Sequence, residues 1–471
     1  MDKRKIQKNI ILSIIAQVIS FLVSFLLNLV VPKFIDEISY ANWQAYILYV
    51  GYVGILHFGL LDGLVLRYSQ YDYDELDKKK VRSQFLVLLI MTGTMIGIAL
   101  AVSALFNDTA TATVYLFVAL GMVIKNVYTY SSYTFQITNR INEYVFLVIS
   151  DRVIYGIFVI LLLAFGVNDF YWYCIADLSS DCIGILVSSR FNRGLYFGTI
   201  QKFKEIIAET GKNISAGIIL LMANWSAVVL VGSAKMVVQW CWDKLTFGKV
   251  SFAFSISNLF LTMAAAISVV VFPSLKRMKT EELPGVYSRI RNTLVPFLII
   301  AFMIYFPGRE LIDLFIPKYS ESLPYLGIIL PIVIPSCLIS LLTNNYFKAY
   351  RKEKSMLFIN LGSVVVGFAV FGIFGFVIHN LNAVLISLVC LNVVRTLISE
   401  LVVSKIINKS VWKNYIPEVL MMVIFVAATC PENRLIGSGI YLVALIVYCI
   451  LERNKIKGIF GLIGRKKNRS I

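Results

Sequence analysis

Three basic residues sit where a lipid bilayer tolerates them least. Lys125, Arg152 and Arg395 fall inside long apolar runs, and a charge at mid-span costs about 2.5–3.5 kcal/mol on insertion scales. Such a residue faces either a water-lined interior, where an ammonium or guanidinium can hold an anion, or a buried counter-ion. For Arg395 the counter-ion would be Asp177 or Asp181. Arg152 follows Asp151, but neighbours on a helix point about 100° apart, so Arg152 needs a partner on another helix. Arg67 and Lys235 lie near the ends of their runs, at the mouths of such an interior. Among the acids, Asp177, Asp181, Glu400 and Asp62 could take up a proton or bind a cation. The seven cysteines form no Cys-x-x-Cys pair, His57 and His379 are the only histidines, and there is no Gly-x-x-x-x-Gly-Lys-Ser/Thr loop. Neither a zinc site, a disulfide framework nor a built-in P-loop ATPase is indicated, and no cofactor is expected beyond H+ or Na+ as a coupling ion.

Long membrane helices must position these charges. Of 471 residues, 58% are hydrophobic and 15% charged, with a mean hydropathy of +0.78. Soluble domains average roughly 45–50% apolar and about 25% charged. The composition excludes a soluble enzyme, a disordered chain and a secreted disulfide scaffold, and predicts an all-α polytopic membrane protein. Continuous apolar runs near the length of a bilayer span also exclude a β-barrel. They predict about 14 transmembrane helices, near 9–31, 42–62, 83–105, 112–135, 144–165, 170–189, 213–234, 250–273, 292–306, 323–343, 355–378, 382–404, 415–430 and 435–452. The first run extends to Val31 without a small-x-small cleavage site, so it reads as a span rather than a signal peptide.

The net charge of +17 has an address. One set of flanks holds 34 Lys and Arg, the opposite set 7. The positive-inside rule places both termini in the cytoplasm, and nucleic acid drops out as a partner in favour of membrane lipids. External connections of at most about 17 residues disfavour polymerases and glycosyltransferases, which need a sizeable external domain.

Weak self-similarity divides the chain. Asp36-Glu37-Ile38-Ser39-Tyr40-Ala41 before the second span matches Asp243-Lys244-Leu245-Thr246-Phe247-Gly248 before the eighth. Phe135-Gln136 with Asn139-Arg140 after the fourth matches Phe347-Lys348 with Arg351-Lys352 after the tenth. This predicts a parallel repeat of six-helix lobes, 1–212 and 213–414, followed by an added pair of helices and a basic tail, 415–471. Parallel repeats are a transporter pattern, with substrate between the halves. Polar stripes at helical spacing mark interior faces or helix contacts: Ser13, Gln17, Ser20, Ser24 and Asn28; Gly121, Lys125, Thr129, Ser132 and Gln136; Asp177, Ser180, Asp181, Gly184 and Ser188; Asn392, Arg395, Thr396, Ser399 and Glu400. Prolines 296, 307, 317, 324, 331 and 335 crowd the ninth and tenth spans, which predicts bends there and a hinge in the second half.

The 6+6+2 layout resembles the polysaccharide flippase branch of the multidrug/oligosaccharidyl-lipid/polysaccharide exporter superfamily. Three stretches carry the resemblance: Gly59-Leu60-Leu61-Asp62-Gly63 with Arg67-Tyr68; Phe247-Gly248-Lys249-Val250-Ser251-Phe252 through Phe272-Pro273-Ser274-Leu275-Lys276-Arg277; and Asn344-Asn345-Tyr346-Phe347-Lys348-Ala349 before Arg351-Lys352-Glu353-Lys354. The resemblance implies a MATE-like fold in a bacterial cytoplasmic membrane. It also implies a flippase for undecaprenyl-pyrophosphate-linked oligosaccharide serving O-antigen, capsule or exopolysaccharide assembly, with a polysaccharide polymerase as a possible partner. Lys125, Arg152 and Arg395 would then meet the anionic headgroup, and Arg67 and Lys235 would flank its path. The competing readings are a cation antiporter of the multidrug branch, which should have an acid-dominated interior, and a membrane polysaccharide polymerase.

Overall fold

A computed structural model describes residues 18–104, 108–276, 282–409, 412–431, 433–453 and 455. The first basic flank, Ser13, Gln17, Arg277 and the tail from 456 lie outside them. Among the described residues there are helices and no strand. The helices are α1 (Val18–Phe34), α2 (Glu37–His57), α3 (Leu60–Tyr68), α4 (Lys78–Ser103), α5 (Thr109–Ile137), α6 (Ile141–Ala164), α7 (Phe170–Phe191) and α8 (Phe203–Cys241). They continue as α9 (Lys244–Lys276), α10 (Leu283–Phe315), α11 (Pro317–Ala349), α12 (Glu353–Val377), α13 (Leu381–Ile407), α14 (Trp412–Thr429) and α15 (Arg434–Leu451). Among the described residues ten helices are long and apolar enough to cross a membrane, or eleven with α2–α3 taken as one bent span. Each of the fourteen predicted intervals overlaps one helix or that bent pair, so the all-α membrane architecture stands and the count is compatible with fourteen. The chain divides into two compact units, Met1–Gly248 and Lys249–Ile471.

In the first unit the sharp feature is the break between α2 and α3, a bend of 56°. Phe58 (φ 48°) and Gly59 (φ 83°) both adopt left-handed backbone there. Imidazole Nδ1 of His57 accepts the Gly59 N–H at 3.2 Å, which ties the turn together. Beyond the break, α3 packs against α8 backbone to backbone. A Cβ on Gly63 would lie 1.9 Å from the Asn213 carbonyl oxygen, and one on Gly217 would lie 2.0 Å from that of Gly59. Only glycine permits this approach, which is the small-residue logic of membrane helix contacts. Helix α8, which the repeat assigns to the second lobe, thus belongs to the first unit by its packing.

The repeated motifs turn out to be helix caps. Asp36 Oδ1 accepts the Ser39 N–H at 2.8 Å, and Asp243 Oδ1 accepts the Thr246 N–H at 2.9 Å. At the other ends, Asn139 and Arg351 take left-handed φ of 55° and 53°. The following N–H groups reach back five residues, Arg140 to Phe135 O at 2.9 Å and Lys352 to Phe347 O at 2.7 Å. These are matching N-caps and Schellman-type C-caps.

In the second unit the proline-rich spans change helix type. Helices α10 and α11 each run as one span of 33 residues. Within them, 3-10 segments occur at Phe302–Ile304, Pro317–Ser322 and Leu330–Ile332, and a π segment at Leu338–Thr343. Proline lacks the N–H of the regular ladder, and local 3-10 or π winding re-pairs its neighbours. Neither span is broken by a bend of more than 40° among the described residues; the break of that size lies in α2–α3, where there is no proline. The added pair is built in: a Cβ on Gly327 of α11 would lie 2.6 Å from Thr429 Oγ1 of α14, and one on Gly437 of α15 2.3 Å from Ala428 O.

Candidate functional site

The polar stripes of α5 and α7 converge on one cluster in the first unit. Lys125 Nζ lies 2.8 Å from Asp177 Oδ2 and 2.6 Å from Asp181 Oδ2. The two aspartates stand one turn apart on α7, so both face the same lysine. Tyr46 of α2 donates its hydroxyl to Asp177 Oδ2 at 2.7 Å. Asp151 of α6 is buried, acts electrostatically on Asp181, and has an Oδ1 with no hydrogen-bond partner among the described residues. Side-chain exposure falls from 24% at Lys125 through 17% at Asp177 to 4% at Asp181, so the cluster is open on one side and closed at its base. Arg152 also acts on Asp151, so when every member is ionised three carboxylates face two basic groups, and one positive charge is lacking. Such a site suits a proton or a small cation more than an anion.

The other predicted residues separate. Arg152 is exposed, as its 100° offset from buried Asp151 requires, and makes no ion pair among the described residues. Arg67 belongs to a clamp on α8: its guanidinium is 2.7 Å from Glu209 and hydrogen-bonds Asn213, while the Tyr68 hydroxyl also donates to Glu209. Lys235 is half-buried, with its ammonium 6.0 Å from the centroid of the Phe247 ring. Asp62 is buried 3.8 Å from His57 Nε2, at the break between α2 and α3.

In the second unit, Arg395 is only 3% exposed, and its buried Nε and Nη1 have no hydrogen-bond partner among the described residues. Beside it on α13, Asn392 Oδ1 is also buried and unpartnered. A guanidinium held this way is costly unless an anion or water meets it. Asp177 and Asp181, the counter-ions expected for Arg395, are occupied by Lys125. Glu400 is fully buried and bound to Arg291 at 2.7 Å; the same arginine binds Glu418 at 2.7 Å. Sequence reasoning missed this triad. It placed Arg291 on a flank, whereas α10 begins eight residues earlier at Leu283. The spacing of Tyr287, Arg291, Leu294 and Leu298, all buried, is the helical signal that would have found it.

Neither protein-family models nor curated protein sequences give a match. Solved structures do. An inward-closed lipid II flippase MurJ superposes with a TM-score of 0.69 over 95% of this chain and 100% of its own, at 14% identity. An inward-facing multidrug resistance MATE transporter of the MOP superfamily gives 0.64 over 83% and 94%, at 12% identity. A MATE in the straight conformation gives 0.56 over 85% and 96%, at 14% identity. The chain has the fold of MurJ and the MATE transporters. At these identities the likeness bears on the fold, which agrees with the resemblance noted from sequence.

Proposed function

We propose that this protein is a flippase that moves polyprenyl-pyrophosphate-linked oligosaccharide across a bacterial cytoplasmic membrane by alternating access, with both termini cytoplasmic, for surface polysaccharide assembly. The observation that carries the reading is the end-to-end correspondence with a flippase of a lipid-linked substrate, where the multidrug structures correspond over 83–85% of the chain. Two features of the chain support it. Arg395 offers buried, unpartnered N–H groups suited to an anionic headgroup. The Lys125–Asp177–Asp181 cluster offers an acidic site for a coupling proton or Na+. In this assignment Lys125 is the counter-ion of the coupling site, and headgroup binding falls to Arg395, with Arg152, Arg67 and Lys235 as further contacts along the path.

The acid-dominated cluster also favours a second reading, cation antiport of the multidrug type. Deletion of the gene separates the two. Accumulation of lipid-linked oligosaccharide in the cytoplasmic leaflet is expected for the flippase. A deletion strain altered only in drug sensitivity would sink that reading and leave the antiporter.

A further inference from the structure

The Arg291 cluster ties together three helices and carries an unbalanced charge. Arg291 Nε and Nη2 donate to Glu400 at 2.7 and 3.0 Å, and Nη1 and Nη2 donate to Glu418 at 2.7 and 2.8 Å. Tyr287 adds a third donor to Glu400 at 2.7 Å. None of these three charged side chains is more than 4% exposed. One guanidinium against two carboxylates leaves a net charge of −1 in the interior of the second unit, and burial of an uncompensated charge is among the costliest arrangements in a protein. The next basic group is Lys455, and it is already 3.0 Å from Glu452.

We infer that Glu418 is a proton-binding site of this transporter fold, loaded from the cytoplasmic end of α15. Glu400 accepts three hydrogen bonds and Glu418 only two, both from Arg291, so Glu418 is the carboxylate less firmly held as an anion. Tyr448 of α15 is an electrostatic neighbour of Glu418, and its buried hydroxyl has no hydrogen-bond partner among the described residues. In the proposed protonated state this hydroxyl is the acceptor for the new O–H. The chemistry balances simply: a hydronium ion gives its proton to one Glu418 oxygen, an O–H bond forms, and the cluster passes from −1 to neutral. That oxygen releases its Arg291 N–H and donates to Tyr448 instead. The titratable and charged groups acting on Glu418 are Arg291 of α10, Glu400 of α13, Tyr415 on its own helix, and Tyr448 and Lys455 beyond; Tyr287 and Glu452 act on Glu400 and Tyr448 in turn. A metal cation is disfavoured because Arg291 already occupies the space between the carboxylates. Loading from the cytoplasmic end rests on the proposed orientation; the protonation of Glu418 does not depend on the cargo.

Infrared difference spectroscopy of the full chain in lipid nanodiscs, between alkaline and mildly acidic buffer, tests it without a substrate. One component of the carboxylic-acid C=O absorption that appears on acidification should persist in Glu400→Gln and in Asp181→Asn, and vanish in Glu418→Gln. Tyr448→Phe keeps every contact of Arg291, so it remains informative should Glu418→Gln fail to fold. It should shift the band frequency and move its titration several-fold in proton concentration. A wild-type protein with no such band, a Glu418→Gln spectrum that loses no component of it, or a Glu418-dependent component abolished by Na+ at constant pH would overturn the assignment.

Discussion

The Lys125 cluster makes a quantitative demand. Replacing Lys125 with Met keeps the length of the side chain and removes its charge, leaving Asp181 at 4% exposure and Asp177 at 17% without their ammonium. Removing one partner of a buried ion pair costs about 3–5 kcal/mol. The contact of 2.6 Å with Asp181 puts this variant toward the upper part of that range, and the partial exposure of Asp177 together with its Tyr46 hydrogen bond moderates it. Asp181→Asn removes the deepest carboxylate while Asp177 still pairs with the lysine, so it should cost less, about 1–3 kcal/mol. The two changes share an interaction, so the double variant should be less damaged than the sum of the singles, by about 2 kcal/mol. Stability of the purified chain in lipid nanodiscs, followed by tryptophan fluorescence during denaturation, measures the cycle. Coupling below about 0.5 kcal/mol, the additivity expected of independent sites, would refute the claim that Lys125 serves these acids. It would restore the lysine as a free headgroup ligand.

Other consequences follow from the same structure. Arg291→Met should destabilise by about 3–5 kcal/mol, whereas replacing Arg291, Glu400 and Glu418 together with apolar residues should recover most of the loss; thermal unfolding of the two variants decides it. Gly63→Ala should cost about 1–3 kcal/mol by overpacking, because its Cβ meets backbone at 1.9 Å, while Gly93→Ala, with nothing within 4 Å, should gain up to about 1 kcal/mol in helix propensity. Denaturation midpoints of the two alanine variants compare them directly. Outside the spans, the hydrogen bond from Lys244 and that from Thr111 pull the Asp108 carboxyl down to about 2. Its folded value lies below its unfolded value of about 3.9, so its contribution is complete above that range and fades as pH falls through about 2. The pair is half-exposed, which limits the effect to about 0.2–1 kcal/mol, and Lys244→Met should reduce this part of the acid dependence in a pH series of unfolding curves, with the Thr111 contribution left in place. Arg395→Ala should abolish export at normal protein abundance, as judged by surface polysaccharide; unchanged export would remove it from the headgroup path.

Hydropathy and helical spacing alone determined the membrane class, the order of helices and the stripes on α5, α7 and α13, because a bilayer leaves a chain few ways to satisfy its backbone. The matching stretches at Asp36 and Asp243 were legible as a repeat; that they are helix caps, made within a few residues of sequence, was decided by the structure. What the stripes meet was not legible. Lys125 reads as a lone cation until α5 and α7 pack side by side and hand it two aspartates. Arg291 reads as a cytoplasmic flank until α10 is seen to begin eight residues before it. The bend followed the same division. Proline content pointed to α10 and α11, but the sharp break lies at Phe58 and Gly59, held by His57 and by glycine contacts with a helix some 150 residues away in sequence. Sequence sets which face of each helix is polar; only the packing of helices decides whether a charge on that face is a ligand or half of an ion pair, since the partners of Lys125 and Arg291 lie on other helices.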